Sequence, residues 1–160
     1  MKYFEHFTVG LEEEAPGRHI VTEEEIIEFG TRWDSQPFHV DPEAAKKSVF
    51  GGLVASSVHL FAIAIGLWNR ETANDEERTA AVSALGFNNM QLKRPARPGD
   101  ELKSKSVVLE ARSSASKPQL GIVTFRNEVT NQRGEVVLAF ENSALVQKEA
   151  LDQPTENRAR

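Results

Sequence analysis

Hydrophobic and polar positions change their spacing about halfway along the chain. In the first half, Tyr3 to Val9 alternate loosely and predict a short strand. Glu12-Glu13-Glu14 followed by Pro16-Gly17 predicts a solvated loop. Thr22-Glu23-Glu24-Glu25 has the form of a capping box, in which Thr22 accepts from the Glu25 amide and the Glu25 side chain reaches back. Glutamates in a first turn also suit the positive end of the helix dipole. Ile26, Ile27 and Phe29 give this helix an apolar side, and Gly30 is placed to end it. Pro37 biases Gln36 away from helix, so the segment from Trp33 reads as an irregular loop. Asp41 is placed to cap a short helix begun by Pro42. From Gly51 to Trp68 the chain reads GGLVASSVHLFAIAIGLW, without a charge. A membrane span needs about 20 predominantly apolar residues. This run is shorter, opens on two glycines and carries Ser56, Ser57 and His59, so it predicts a helix buried at the centre of a soluble fold.

Beyond a polar loop over Glu71–Arg78, the period becomes two. Val82–Leu92 predicts a strand, and Pro98-Gly99 suits the centre of a type II turn. Leu102–Arg112 predicts the next strand, with Val107, Leu109 and Ala111 on one face. In Gly121–Thr130, Val123, Phe125 and Val129 share a face opposite Thr124, Arg126, Glu128 and Thr130. Asn131-Gln132-Arg133-Gly134 reads as a hairpin loop, and Val136, Leu138, Phe140, Ala144 and Val146 alternate after it. Consecutive strands on short loops form an antiparallel sheet. An all-apolar helix must be wrapped by something, and a curved sheet folded around it meets that need. The expected fold is therefore α+β, a curved antiparallel sheet around one long central helix. Residues 1–147 read as a single domain and 148–160 as a polar, flexible tail. A half-wrapped helix with an exposed sheet edge favours pairing with a second copy, a homodimer or higher homo-oligomer.

Composition narrows the chemistry. The chain has 160 residues, 39% apolar and 27% charged, which suits one domain. The net charge of −5 argues against a duplex nucleic-acid partner, which calls for a clustered positive surface. With no cysteine, disulfides, thiolate metal sites and cysteine nucleophiles are excluded. The start turns charged within a few residues, so no secretory leader, no membrane association and a cytoplasmic location are expected.

The segment Asp34-x-x-Pro37-x-His39 is the most informative. It sets a carboxylate and an imidazole five residues apart, with a proline stiffening the link. An acid and a base on either side of one water suit proton transfer, and histidine serves both roles near neutrality. Taken alone, the pair has a plainer and commoner reading: Asp34 caps a turn and His39 packs on the loop. His39-x-Asp41 has no further clustered ligands, so no metal is expected. His59 reads as a core histidine with a backbone partner, and Trp33 and Trp68 as packing residues. Gly51-Gly52 permits close approach of a substrate or close helix packing. Lys93, Arg94 and Arg97 gather at a turn, either as a phosphate contact or as a solvated turn.

The segment from Asp34 to Ala45 (DSQPFHVDPEAA), followed by Phe50-Gly51-Gly52-Leu53-Val54-Ala55-Ser56, resembles the MaoC-like dehydratase family, which includes (R)-specific enoyl-CoA hydratases. Thr22-Glu23 and the run from Arg94 to Asp100 (RPARPGD) extend the similarity over about Tyr3–Val146. The resemblance implies a hot-dog fold, usually paired into a dimer. It implies a hydro-lyase that adds water to a trans-2-enoyl-CoA or removes it from the 3-hydroxyacyl-CoA, in fatty acid metabolism, with coenzyme A present only as part of the substrate and no other cofactor. Asp34 and His39 would be the catalytic pair, and the backbone amide of Ser57 would donate to the thioester oxygen. Pro37, Phe50, Gly51, Gly52, Leu53, Val54 and Ser56 would line the substrate pocket. Lys93, Arg94 and Arg97 would meet the phosphates of coenzyme A. The pattern departs from the family at Trp33 and Ser57, where glycine usually stands, and at Gln36, usually asparagine. Two alternatives remain: a hot-dog acyl-CoA thioesterase, and a non-catalytic acyl-CoA-binding subunit. Gly51–Asn69 carries no Asp or Glu, which counts against the thioesterase.

Overall fold

The structure, a computed structural model, describes residues 1–69 and 77–149. Four long strands form the body of an antiparallel sheet: β3 (Ala81–Leu92), β4 (Glu101–Ser113), β5 (Leu120–Thr130) and β6 (Val136–Gln147). Two short strands, β1 (Glu12–Glu14) and β2 (His19–Ile20), both pair with β4. The order across the sheet is β1-β4-β5-β6-β3. Four helices precede β3: α1 (Glu23–Trp33), α2 (Pro37–Val40), α3 (Pro42–Lys46) and α4 (Ser57–Asn69). Most of the polar loop expected over Glu71–Arg78, and most of the expected tail, lie outside the described residues.

The sheet forms because its strands present apolar side chains to α4. That helix buries Leu60, Ile63, Ala64 and Leu67 against Leu102 of β4, Val129 of β5 and Val137, Leu138 and Phe140 of β6. Each large side chain removed from water contributes roughly 1.5–3 kcal/mol. A second cluster joins Phe7 to Val108, Val123, Ala144 and Val146. Register shifts at Val108/Glu110, at Val129/Thr130 and at three places between β3 and β6 bend the strands. No described helix is long and apolar enough to cross a membrane.

Several expectations change. Tyr3 to Val9 form no strand; a 3-10 turn over Phe4–His6 instead brings Phe7 into the second cluster. Glu12–Glu14 is a strand rather than a loop, held by backbone pairing to Val107, Ser106 and Lys105, with the Glu13 carboxylate accepting from Lys2. On β4 the buried positions are Leu102, Ser104, Ser106 and Val108, and Leu109 is exposed. The bulge after Val108 moves Ala111 onto the packed side. The hairpin at Asn131–Gly134 and the turn at Gly99 form as expected, with Gly134 at φ +75° and Gly99 at φ +88°.

Candidate active site

The site is assembled from helix ends. Thr22 caps α1, its hydroxyl accepting from the Glu25 amide at 3.2 Å. The helix does not stop at Gly30 but runs to Trp33, and Asp34 is its C-cap, with its amide donating to the Gly30 carbonyl. Gly30 marks a close approach. A Cβ there would lie 3.0 Å from the His39 Cβ, 3.0 Å from Val40 Cγ1 and 3.1 Å from the His39 carbonyl oxygen. The stretch expected to be irregular contains α2, one turn started by Pro37 at its first position. Gln36 before it is extended, as a residue ahead of proline should be. Asp41 caps α3, accepting from the Glu43 and Ala44 amides, so its carboxylate is occupied by the backbone.

His39 is only 6% exposed. Its Nδ1 lies 2.6 Å from the Val54 carbonyl oxygen. A carbonyl only accepts, so in the neutral ring Nδ1 carries the hydrogen and Nε2 presents its lone pair. That Nε2 faces Asp34 Oδ2 at 3.5 Å, and the Asp34 side chain is part-exposed. This spacing lets one water bridge both atoms. The pair expected from the sequence is therefore together, with the imidazole oriented and the carboxylate open to solvent.

Val54 reaches His39 because α4 begins later than expected, at Ser57. Residues 51–56 run as irregular backbone, opened by Gly51 at φ +67°. The Val54 amide donates to the Phe38 carbonyl and the Ala55 amide to the Ala96 carbonyl. Ser56 caps α4, its hydroxyl accepting from the His59 amide at 3.2 Å. Ser57 is the first helical residue, and among the described residues no acceptor is bonded to its amide. A free amide at a helix start is a donor for developing negative charge.

The remaining pocket residues divide. Phe50 packs on Phe38 with ring centroids 5.1 Å apart, and Pro37 is exposed. Leu53, Val54 and Ser56 are buried; the Val54 carbonyl holds His39 and the Ser56 hydroxyl caps α4. Gly52 lies near the Arg97 guanidinium. Arg97 is not a free cation: its Nη2 donates to the Phe50 carbonyl at 2.7 Å, tying the turn to the site loop. Lys93 and Arg94 are exposed. Trp33, expected to pack, is 69% exposed, because it ends α1 beyond the buried positions Ile26 and Gly30. Trp68 does pack, donating to the Ser104 hydroxyl at 3.0 Å. Gly30, the Val54 carbonyl and the Arg97–Phe50 bond were not found by sequence reasoning. A glycine inside an otherwise amphipathic helix was the available signal.

A cavity of about 690 Å³ opens near the far end of α4, lined among others by Ile65, Trp68, Asn127 and Asn142. Ile65 lies eight residues beyond Ser57, about 12 Å along the helix. Neither Asp34 nor His39 lines it.

His59 is a core histidine, as expected, stacked on Phe29 with centroids 4.6 Å apart, but its expected backbone partner is absent: Nδ1 has no partner among the described residues and Nε2 faces the Glu25 carboxylate. Burial is the largest influence on it and pushes its pKa below the ordinary 6.5; the Glu25 charge opposes that, and His19 and His39 add to it. The unfolded chain thus takes up a proton at a higher pH than the folded protein does. Stability is expected to fall as pH drops below about 6.5 and on toward the lowered pKa. Thermal melts between pH 7.5 and 5 check this: the fall in Tm should be shallower in His59→Gln than in the wild type.

The MaoC like domain family matches residues 8–132 of the chain. The uncharacterized protein YdeM of Bacillus subtilis is 31% identical over 128 residues, 80% of this chain and 87% of that one. The MaoC-like dehydratase of Rhodospirillum rubrum superposes with a TM-score of 0.84 at 35% identity, covering 94% of this chain and all of the other. Two more distant structures share the fold. They are an (R)-hydratase from A. caviae involved in PHA biosynthesis (TM-score 0.65, 22% identity, 89% of this chain and 98% of that one) and a double hotdog protein of Mycobacterium tuberculosis (TM-score 0.74, 17% identity, 96% and 46%). With a hot-dog fold and a match over most of its length, the chain belongs to the MaoC-like dehydratase family.

Proposed function

We propose that this protein hydrates a trans-2-enoyl-CoA, or dehydrates the corresponding 3-hydroxyacyl-CoA, with Asp34 and His39 as the catalytic pair. The observation that carries the reading is the opposition of His39 Nε2 and Asp34 Oδ2 at 3.5 Å, with the imidazole tautomer set by Val54. In this account one water sits to one side of the pair, within hydrogen-bond reach of both groups. His39 Nε2 takes a proton from it as the hydroxyl adds to C3. Asp34 accepts the water's other hydrogen and stabilises the imidazolium. Negative charge moves to the thioester oxygen, where the Ser57 amide and the helix dipole receive it. The imidazolium then returns its proton to C2, completing the addition of one water. Lys93 and Arg94 are assigned to the phosphates of coenzyme A. Arg97 instead holds Phe50 at the pocket edge.

The test mixes the pure protein with crotonyl-CoA and follows loss of the conjugated enoyl-thioester absorbance, with the product assayed for free thiol. Formation of 3-hydroxybutyryl-CoA supports the reading. Free thiol supports a thioesterase. Binding without turnover across a panel of chain lengths supports a non-catalytic acyl-CoA-binding subunit.

A homodimer belongs to the same proposal. β3 is a twelve-residue edge strand whose Val82, Leu85, Phe87, Met90 and Leu92 are each between 44% and 54% exposed. On α4, Val58 and Ile65 are exposed as well. A long apolar edge is a template for pairing, and a second copy of the chain would cover it. Leu85→Lys is expected to weaken self-association by at least about tenfold, since a lysine on an edge strand opposes pairing. Sedimentation across a concentration series, with circular dichroism as the control for folding, checks it.

A further inference from the structure

A second histidine–carboxylate cluster lies outside the catalytic pair. Glu25 does not close the capping box that its sequence position suggests. Its Oε1 lies 2.7 Å from His19 Nε2, on β2, and 3.6 Å from His59 Nε2, on α4. One carboxylate thus joins three elements. Four residues further along α1, Phe29 lies flat on the His59 ring, with an interplanar angle of 9°. The next residue, Gly30, leaves no room for a Cβ against His39, and Asp34 is the C-cap of the helix. The first turn of α1 is therefore pinned by Glu25, and its last turn carries the catalytic carboxylate. His59 is 6% exposed, and its Nδ1 is, among the described residues, the buried side-chain polar atom without a partner. A buried polar atom left unpaired is costly, and such sites are kept where they serve a purpose.

We propose that Glu25 and His59 are positioning residues: through α1 they fix where Asp34 stands relative to His39 Nε2. The neutral His59 ring tolerates an unpaired acceptor at Nδ1. On protonation that atom becomes a buried donor with nothing to receive it, so the charged ring must shift to find an acceptor and draws on the Phe29 stack and Glu25 as it does. The charged and titratable groups facing His59 are Glu25 from α1, His19 from β2 and His39 from α2. Only Glu25 favours the protonated ring, and burial outweighs it. The geometry of the catalytic pair is thereby coupled to the protonation of a residue that takes no part in the chemistry.

The kinetic arm of the test rests on the hydratase reading; a second arm does not. In the first, Glu25→Gln and His59→Gln are assayed for enoyl-CoA hydration from pH 5 to 8. The expected result is a fall in kcat of about tenfold or more with KM within about twofold, and in His59→Gln an acid limb displaced from that of the wild type. In the second, the imidazole resonances of His39 are recorded by NMR in the free proteins, without substrate. They should shift in both variants while circular dichroism stays native. Unchanged His39 resonances, or an unchanged kcat and acid limb in folded variants, overturn the proposal. If the wild type hydrates no enoyl thioester, the NMR arm still decides the positioning role. If Glu25→Gln does not fold, His19→Gln removes one partner of the carboxylate on a two-residue strand. A smaller His39 shift in that variant supports the proposal, and none overturns it.

Discussion

Asp34→Asn is expected to lower kcat for enoyl-CoA hydration by about 10²–10⁴-fold, with KM changed by no more than a few-fold. A positioned acid or base contributes on that scale, equivalent to about 3–5 kcal/mol of barrier. The asparagine keeps the shape of the side chain and removes its charge, so the bridging water is left with a neutral, weaker acceptor and the imidazolium loses its counter-charge. Asp34 is part-exposed at the end of α1, and the change should leave Tm close to that of the wild type. His39→Gln is expected to reach a similar loss of activity with a larger cost in stability. His39 is buried and donates to the Val54 carbonyl at 2.6 Å, and a buried acceptor left without its donor costs about 1–3 kcal/mol. Steady-state kinetics beside thermal melts separates the two cases. Full activity in either variant would remove that residue from the chemistry.

Gly30→Ala is expected to damage activity far more than stability. Alanine is favoured over glycine inside a helix by about 1 kcal/mol, whereas overpacking costs about 1–3 kcal/mol. The two effects oppose each other, and Tm should move by only a few degrees. The atoms the new methyl meets are the His39 Cβ, the His39 carbonyl oxygen and Val40 Cγ1, each at 3.0–3.1 Å. The first two belong to the backbone turn that carries the imidazole and cannot rotate aside. His39 is therefore pushed away from Asp34 by a few tenths of an ångström. Misplacement of about 1 Å can cost about 10²-fold in rate, so a fall in kcat of about four- to tenfold is expected. Wild-type kcat in a folded Gly30→Ala would show that the α1–α2 contact does not set the catalytic distance.

The juxtaposition of Asp34 and His39 was legible: one proline-started turn separates them, and the structure sets them 3.5 Å apart. The proposed catalytic role came from the family resemblance, since Asp34-x-x-Pro37-x-His39 alone reads more plainly as a turn cap and a packed histidine. What was not legible is what other elements contribute. Glu25 was expected to bond within its own helix, but His19 and His59 arrive from β2 and α4 and take its carboxylate. Gly30 resembles a helix terminator along the chain; only the approach of α2 shows why a side chain is absent there. Glu12–Glu14 has no strand-like side chains, yet backbone pairing to β4 makes it one. Val107 and Leu109 alternated but in the wrong phase, because the packed face before the bulge is Leu102, Ser104, Ser106 and Val108, two of them serines that do not read as core; the bulge after Val108 brings only Ala111 to that side. Trp33 followed an apolar helix face and was expected to pack; the face ends one turn before it. The antiparallel sheet and its central helix were legible throughout, since they depend on spacing alone.

The central claim is that Asp34 and His39 add the elements of one water across an enoyl thioester. The most direct measurement runs the reaction with crotonyl-CoA in D₂O and reads the product by mass spectrometry and NMR. The account predicts an intact thioester carrying a hydroxyl at C3 and one deuterium at C2, formed by the wild type and not by Asp34→Asn or His39→Gln. Release of free coenzyme A with no deuterium in the acyl chain, or the same labelled product from both variants, would contradict it.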